Sequence, residues 1–153
     1  MPNNELTMIG WRERVDLPDW GVRRIRAKID TGARTSAIDV AQIETLADDR
    51  VRFEVVVRDR PRRVTKWIEA DTARQSVVKP SSGERQQRVV CRTTMGIAGI
   101  EHEIELSLVC RQGMLCRMLI GRTALAGVFS VDPSRKYVLT KLKQPASDGE
   151  GER

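Results

Sequence analysis

The feature that most constrains this chain is a run of alternation that stops at a carboxylate. Over residues 24–29, Ile25, Ala27 and Ile29 fall on one side, while Arg24, Arg26 and Lys28 fall on the other. Apolar and charged residues at a period of two describe a strand with one face in a core and one in water. That strand, residues 22–29, then delivers Asp30-Thr31-Gly32-Ala33 in one tight step. Gly32 admits backbone conformations and close approaches that a Cβ blocks, and Thr31 offers a hydroxyl on a short, stiff side chain. A second apolar stretch, Arg117-Met118-Leu119-Ile120, ends in Gly121-Arg122 and leads into a short helical signal.

Short strand patterns separated by turn chemistry fill the rest of the chain. Residues 6–12 read as an edge strand, and residues 16–21 as a turn built on Pro18, Asp19 and Gly21. Residues 34–40 turn away as another short strand, and residues 43–49 read as a helical turn or loop. Val51, Phe53, Val55 and Val57 alternate as a strand, residues 58–63 form a polar turn around Pro61, and residues 64–70 are strand-like. The Pro/Ser/Gly-rich residues 79–87 separate two β-like flanks at 76–78 and 89–90, the signature of a hairpin. Gly96 and Gly99 mark a turn. Residues 100–110 then place Ile100, Ile104, Leu106, Leu108 and Cys110 on one face, with His102 among them, and Glu101, Glu103, Glu105 and Ser107 on the other. Gln112-Gly113 turns the chain into a buried strand at 115–120. A short helix over 122–126 stops at Gly127, and two closing strands, 129–131 and 136–140, flank Asp132-Pro133. The expected fold is an all-β, closed, barrel-like domain with one short helix near its C-terminal end. The domain is expected over residues 8–142, with residues 1–7 and 143–153 as flexible termini.

A chain of 153 residues, 40% hydrophobic with mean hydropathy −0.40, is long enough for one real core and reads as soluble. It has no apolar run of membrane-span length and no apolar signal-peptide core at its start. Three cysteines, Cys91, Cys110 and Cys116, are an odd count without repeated spacing, which suits free thiols in a cytoplasmic protein. A net charge of +6 favours acidic partners, nucleic acid or acidic peptide. The six aromatic residues weigh against a base-stacking platform for single strands.

No cofactor is expected. His102 is the only histidine, and no second histidine follows His102-Glu103 at the spacing of a metalloprotease helix. Cys110 and Cys116 lack a second pair of ligands, so metal: none. A phosphate-binding Gly-x-x-x-x-Gly-Lys-Ser/Thr loop is absent. The sequence also carries one carboxylate, Asp30, on a tight Asp-Thr-Gly turn. Amide hydrolysis without a metal or a covalent intermediate needs a base to activate water and an acid for the leaving group. Two carboxylates sharing one proton supply both, because they cannot both ionise at close range. A chain with one Asp-Thr-Gly provides two such groups as a two-fold homodimer.

The ordered set of motifs resembles the retropepsin-like aspartic proteases, and within them a bacterial branch of RimB-type peptidases that carries the label ATP-dependent zinc protease. The residues concerned are Ile9-Gly10-Trp11-Arg12-Glu13, 28–37 (KIDTGARTSA), 87–94 (QRVVCRTT), 117–127 (RMLIGRTALAG) and Val131-Asp132-Pro133. The resemblance implies a closed acid-protease barrel and a homodimer with Asp30 of each subunit as the catalytic group. It implies that Thr31 bonds across the dimer axis, that the Gly32 backbone helps hold the carboxylate pair with Ala33 in support, and that Gly121 and Arg122 support the loop from behind. The hairpin at 79–87 is the candidate flap. Many retropepsins carry an acidic residue at the position of Arg34, paired with the later arginine. That pair cannot form here, and Arg34 and Lys28 become candidates for contacting an anionic substrate. Asp39 stands where the branch commonly has histidine. The resemblance further implies removal of glutamate tails from a ribosomal small-subunit protein modified by a RimK-type ligase. The alternative reading of these residues is a non-catalytic basic β-barrel that binds RNA or an acidic protein.

Overall fold

The computed structural model describes residues 5–58, 60–78, 86–110 and 116–141, with backbone alone for 76–78, 86 and 87. Among the described residues, the fold consists of eleven strands, one 3-10 turn at Pro18–Trp20 and one four-residue helix. The strands are β1 (Thr7–Gly10), β2 (Arg12–Leu17), β3 (Val22–Ile29), β4 (Ser36–Thr45), β5 (Arg50–Arg58) and β6 (Val64–Asp71). They continue with β7 (Arg74–Val78), β8 (Gln86–Ile97), β9 (Ile100–Val109), β10 (Met118–Ile120) and β11 (Phe129–Asp132); the helix, α1, is Arg122–Leu125.

Six strands close a barrel in the order β10-β3-β2-β8-β9-β4, and the β10–β4 pairing completes the ring. Closure removes the unpaired edges that an open sheet of this size exposes. The closing strand is only three residues long, yet it bonds on both sides. It runs parallel to β3, with Ile120 opposite Ile29, and antiparallel to β4, with Met118 opposite Ile38. β5 and β6 extend outward from β4, β7 pairs with β8, and β1 and β11 form a separate parallel ribbon. The barrel encloses Ile25, Ile38, Met95, Leu106, Met118 and Ile120, each at most 1% exposed. Trp20 packs edge-on against Phe53 (centroids 5.0 Å apart) and joins the β5–β6 layer to this core.

The strand expected over 22–29 forms with those bounds, and its inward positions Ile25, Ala27 and Ile29 are buried. Several segments differ from expectation, among them Gly96, which is paired within β8 and does not turn the chain. Residues 6–12 form two strands rather than one. The chain breaks at Gly10-Trp11, where Trp11 donates its N–H to Arg135 O (2.9 Å) and accepts at its own carbonyl from Ile29 N (2.8 Å). Residues 43–45 stay in β4, because Ile43, Glu44 and Thr45 pair with Phe53, Arg52 and Val51. The reversal follows them, with Asp48 and Asp49 at φ +60° and +57°. Cys110 lies one residue past the end of β9 and is exposed instead of sharing the buried face.

Residues 136–140 form no strand. The amides of 138–140 are taken by one buried side chain, Glu13, and that of Tyr137 by Arg12 O. Glu13 Oε2 accepts the N–H groups of Gly10 (2.7 Å), Val138 (2.8 Å) and Leu139 (3.3 Å). Its Oε1 accepts the Thr140 N–H (3.1 Å) and hydroxyl (2.6 Å). A carboxylate thereby satisfies buried donors that a ladder partner would otherwise meet. The hairpin turn expected at 79–87 lies mostly outside the described residues, while its flanks pair antiparallel, with Gln75 opposite Val89.

Candidate active site

β3 and β10 run parallel and end together, and Asp30 is the first residue past β3. Its N–H donates to Ile120 O (2.9 Å), so the neighbouring strand fixes where the backbone leaves the barrel. The turn closes with Ala33 N–H on Asp30 O (3.1 Å). Gly32 N–H donates to Asp30 Oδ1 (2.9 Å) and aims the carboxylate. A Cβ on Gly32 would stand 3.3 Å from that same oxygen, so the residue lets the amide approach the carboxylate closely. Asp30 is half-buried, and Thr31 and Gly32 face solvent.

The turn is braced from behind by the end of β10. Gly121 donates to the buried Ser36 Oγ (3.0 Å), Arg122 N–H to Ala33 O (2.8 Å), and Thr123 N–H to Arg34 O (3.1 Å). Thr123 Oγ1 also donates to Arg34 O (3.0 Å). Gly121 itself is extended (φ −95°, ψ 179°), so no special torsion requires glycine there. Space does: a Cβ would stand 2.5 Å from Thr35 O and 2.9 Å from Ala33 O. The Arg122 guanidinium reaches around and donates to Thr31 O (3.3 Å) and Gly32 O (3.1 Å). An acidic residue at position 34 is therefore unnecessary for holding Arg122, because the turn's own carbonyls do it.

The structure thus brings Asp30, Thr31, Gly32, Ala33, Gly121 and Arg122 into one bonded unit. Arg34 and Lys28 do not join it. Lys28 is exposed on β3, opposite Arg12. Arg34 is exposed and lines a cleft of about 250 Å³ with Thr35, Arg74, Arg92, Glu105 and Thr123. Within it Glu105 accepts from Arg74 (Nη2 at 2.9 Å, Nε at 3.1 Å) and from Arg92 (3.2 Å). The hydrogen bond from Arg74, with the charge of both arginines, holds the Glu105 carboxyl below its ordinary range despite opposing desolvation.

Two further arrangements escaped the sequence reading. Asp39 and Arg117, both buried, form an ion pair (2.5 Å) in the wall of a second cleft of about 200 Å³ that Ala33 and Thr35 also line. The Arg117 backbone bonds to Arg26 O (3.1 Å) and accepts from Asp39 N (2.8 Å), so this residue ties β3 to β4 just before β10. The pair is 78 positions apart in sequence, and no local pattern announces it. Glu13 did leave a signal: it occupies an inward position of β2, alongside Val15 and Leu17.

His102 is half-buried and donates from Nε2 to Ala124 O (2.8 Å), a structural bond to α1. Burial pushes the Cys91 thiol up to about 11, an unreactive state. Among the described residues, no group of three or more His, Cys, Asp or Glu side chains is placed to hold a metal. Asp132 accepts the Ser134 N–H (2.9 Å) and hydroxyl (2.7 Å), as a turn aspartate before Pro133 should.

Comparison with known proteins gives this site a family. Curated relatives include proteins described as probable alpha-L-glutamate ligases. That of Shewanella pealeana is 33% identical over 135 residues, which is 86% of this chain and 30% of the relative. That of Parasynechococcus marenigrum is 34% identical over 140 residues, 90% of this chain and 30% of the relative. The chain therefore spans about 30% of the length of these relatives. A solved structure of a Legionella pneumophila protein of unknown function superposes with a TM-score of 0.72 at 22% identity, covering 88% of this chain and 98% of that one, and shares the fold. The family model for the RimB-like retropepsin-like aspartic endopeptidases matches residues 8–142. With its closed barrel and its Asp-Thr-Gly turn braced by Ile-Gly-Arg, this chain belongs to the RimB-like family of retropepsin-like aspartic endopeptidases.

Proposed function

We propose that the protein is an aspartic-type peptidase that works as a homodimer, with Asp30 of each subunit as the catalytic group, and that it removes glutamate tails from a ribosomal small-subunit protein modified by a RimK-type ligase. The observation that carries the reading is the bonded turn. Asp30 is held by its own backbone, by the Gly32 amide and by the β10 end, while Thr31 and Gly32 stay open to solvent. A second copy brought to that face by a two-fold axis sets two carboxylates side by side, where one proton serves both. The ionised Asp30 removes a proton from water as the water attacks the amide carbon. The protonated partner donates to the developing oxyanion and then, after proton exchange, the leaving nitrogen is protonated. Thr31 and Gly32 position the pair, Ala33 completes the turn, and Gly121 and Arg122 keep the turn rigid, so preorganisation is built in.

The substrate class draws on two things. The curated relatives are described as probable alpha-L-glutamate ligases, and they include a segment similar to this chain. Arg34 lies immediately after the turn and Lys28 two residues before Asp30, where exposed cations offset the repulsion between a polyanion and two aspartates. Cytoplasmic action fits three cysteines that are all free thiols.

The test is intact-mass analysis of a glutamate-tailed ribosomal protein incubated with the wild-type chain and with Asp30→Asn. Loss of glutamates with wild type alone is expected, and it should persist in excess EDTA. Equal loss with both proteins would move the chemistry away from Asp30. Activity of a species that remains monomeric by light scattering would refute the shared pair.

A further inference from the structure

The outward face of β2 and β3 carries a block of cations, of which the peptidase reading uses Lys28 alone. The register sets Arg12 opposite Lys28 and Arg14 opposite Arg26. Like charges directly opposite one another on a sheet are destabilising, and here two such pairs are consecutive on one face. Among the described residues, Arg12, Arg26 and Lys28 have no carboxylate within ion-pair range. Arg12 Nε and Arg26 Nε are also buried without a hydrogen-bond partner. The acid that shares this face of β2, Asp16, is engaged by the Arg24 N–H (2.8 Å). Alongside β2 the chain returns through Arg135, Lys136 and Lys141, all exposed, with Tyr137 N–H bonded to Arg12 O (2.8 Å).

Aromatic rings lie between these charges. Arg12 stands 4.9 Å and Lys136 5.8 Å from the centroid of Trp11, and Arg14 stands 5.5 Å from that of Tyr137. Two of the chain's six aromatic residues thus sit half-exposed beside these cations, a local placement that offsets their low number as a platform for bases. An acidic peptide needs the cations but has no use for the rings. A single strand of nucleic acid uses both, its phosphates meeting the cations and its bases stacking on the rings.

We propose that the β2–β3 face, with Trp11 and Tyr137 at its border, is a binding surface for single-stranded nucleic acid. The surface shares Lys28 with the peptidase reading and does not involve Asp30. Successive outward positions of a strand are about 6.6 Å apart, so the cations form a compact two-by-two block in which Arg12, Arg26 and Lys28 can neutralise about three phosphates.

The experiment uses the full chain carrying Asp30→Asn and fluorescein-labelled 20-mers of oligo(U) and oligo(dT), read by anisotropy across salt concentration. For three neutralised phosphates the slope of log K against log salt is expected to be about −2.1. Combined Arg12→Gln, Arg26→Gln and Lys28→Gln removes these three contacts. That flattens the slope by about 2 and weakens binding about 100-fold at 0.1 M salt. Combined Arg58→Gln, Arg60→Gln and Arg62→Gln changes the net charge equally on an exposed turn, and binding should change less than threefold. Trp11→Leu should weaken binding about tenfold through lost stacking. Circular dichroism melts confirm that each variant is folded. The two oligonucleotides assign the sugar. No binding by the parent chain overturns the proposal, as does equal loss in both triple variants. An oligo-glutamate 20-mer that binds as tightly as the oligonucleotides, with Trp11→Leu neutral, overturns it in favour of an acidic protein partner.

Discussion

Replacing Gly121 by alanine adds one methyl group at the tightest point behind the Asp30 turn. That carbon would stand 2.5 Å from Thr35 O, 2.7 Å from Thr35 C and 2.9 Å from Ala33 O, all backbone atoms that no rotamer change can move. Relief to an ordinary contact of about 3.5 Å requires the 33–36 segment and the end of β10 to separate by about 1 Å. That separation carries three hydrogen bonds out of range: Gly121 N to Ser36 Oγ (3.0 Å), Arg122 N to Ala33 O (2.8 Å) and Thr123 N to Arg34 O (3.1 Å). Overpacking costs about 1–3 kcal/mol, and each weakened bond adds roughly 1 kcal/mol. The expected loss is about 4–6 kcal/mol, a large share of the ~5–15 kcal/mol that holds a domain of this size together. Urea denaturation with an unchanged m-value reads it directly. Gly99→Ala is the matched control. Its site has φ +87° and no heavy atom within 4 Å of the added carbon, so backbone strain alone costs about 1–2 kcal/mol. If Gly121→Ala is as stable as Gly99→Ala, the close-packing argument for the β10–turn contact fails.

Other perturbations test other parts of the fold. Glu13→Gln replaces an oxygen that accepts backbone N–H groups with an amide NH₂ that faces them, so a loss of about 3 kcal/mol or more is expected in thermal or urea melts. A neutral Glu13→Gln would mean that residues 138–140 are held by something else. Asp39→Leu alone leaves Arg117 buried without its carboxylate and should cost about 3–5 kcal/mol, whereas Asp39→Leu with Arg117→Met should recover most of that; a double variant worse than the single would refute the pairing. Glu105 has a lowered folded-state pKa, so its contribution is full above the usual carboxylate range and is lost as pH falls through the folded value. Glu105→Gln should therefore flatten the acid limb of the stability–pH curve, modestly because Arg74 and Arg92 are well exposed, and an unaltered limb would show that the network contributes nothing.

The period of two in residues 22–29 was enough to place β3 with its bounds and its buried face. Local chemistry likewise placed the turns at Gly21, Gly99 and Gly127, each with positive φ, because those conformations depend on the residue itself. The ordered motifs identified the family, and Asp-Thr-Gly with Ile-Gly-Arg marked the two segments that meet. Local pattern misled at residues 136–140, whose strand-like composition is overridden by one carboxylate more than a hundred positions away. It also misled at 43–45, where pairing with β5 outweighs a helix-compatible stretch.

The sequence by itself determined what each short segment does: which face of a strand is apolar, where the chain turns, and which carboxylate the strand delivers. These depend on neighbours one to four residues away. Only the tertiary structure decided which segments brace one another. Gly121 is glycine because Thr35 O is 2.5 Å from where its Cβ would be, Arg122 is held by the turn's carbonyls in place of an acid, and Asp39 finds Arg117 across the barrel seam. Those choices arise from closing six strands into a ring, which brings together residues that share no local period.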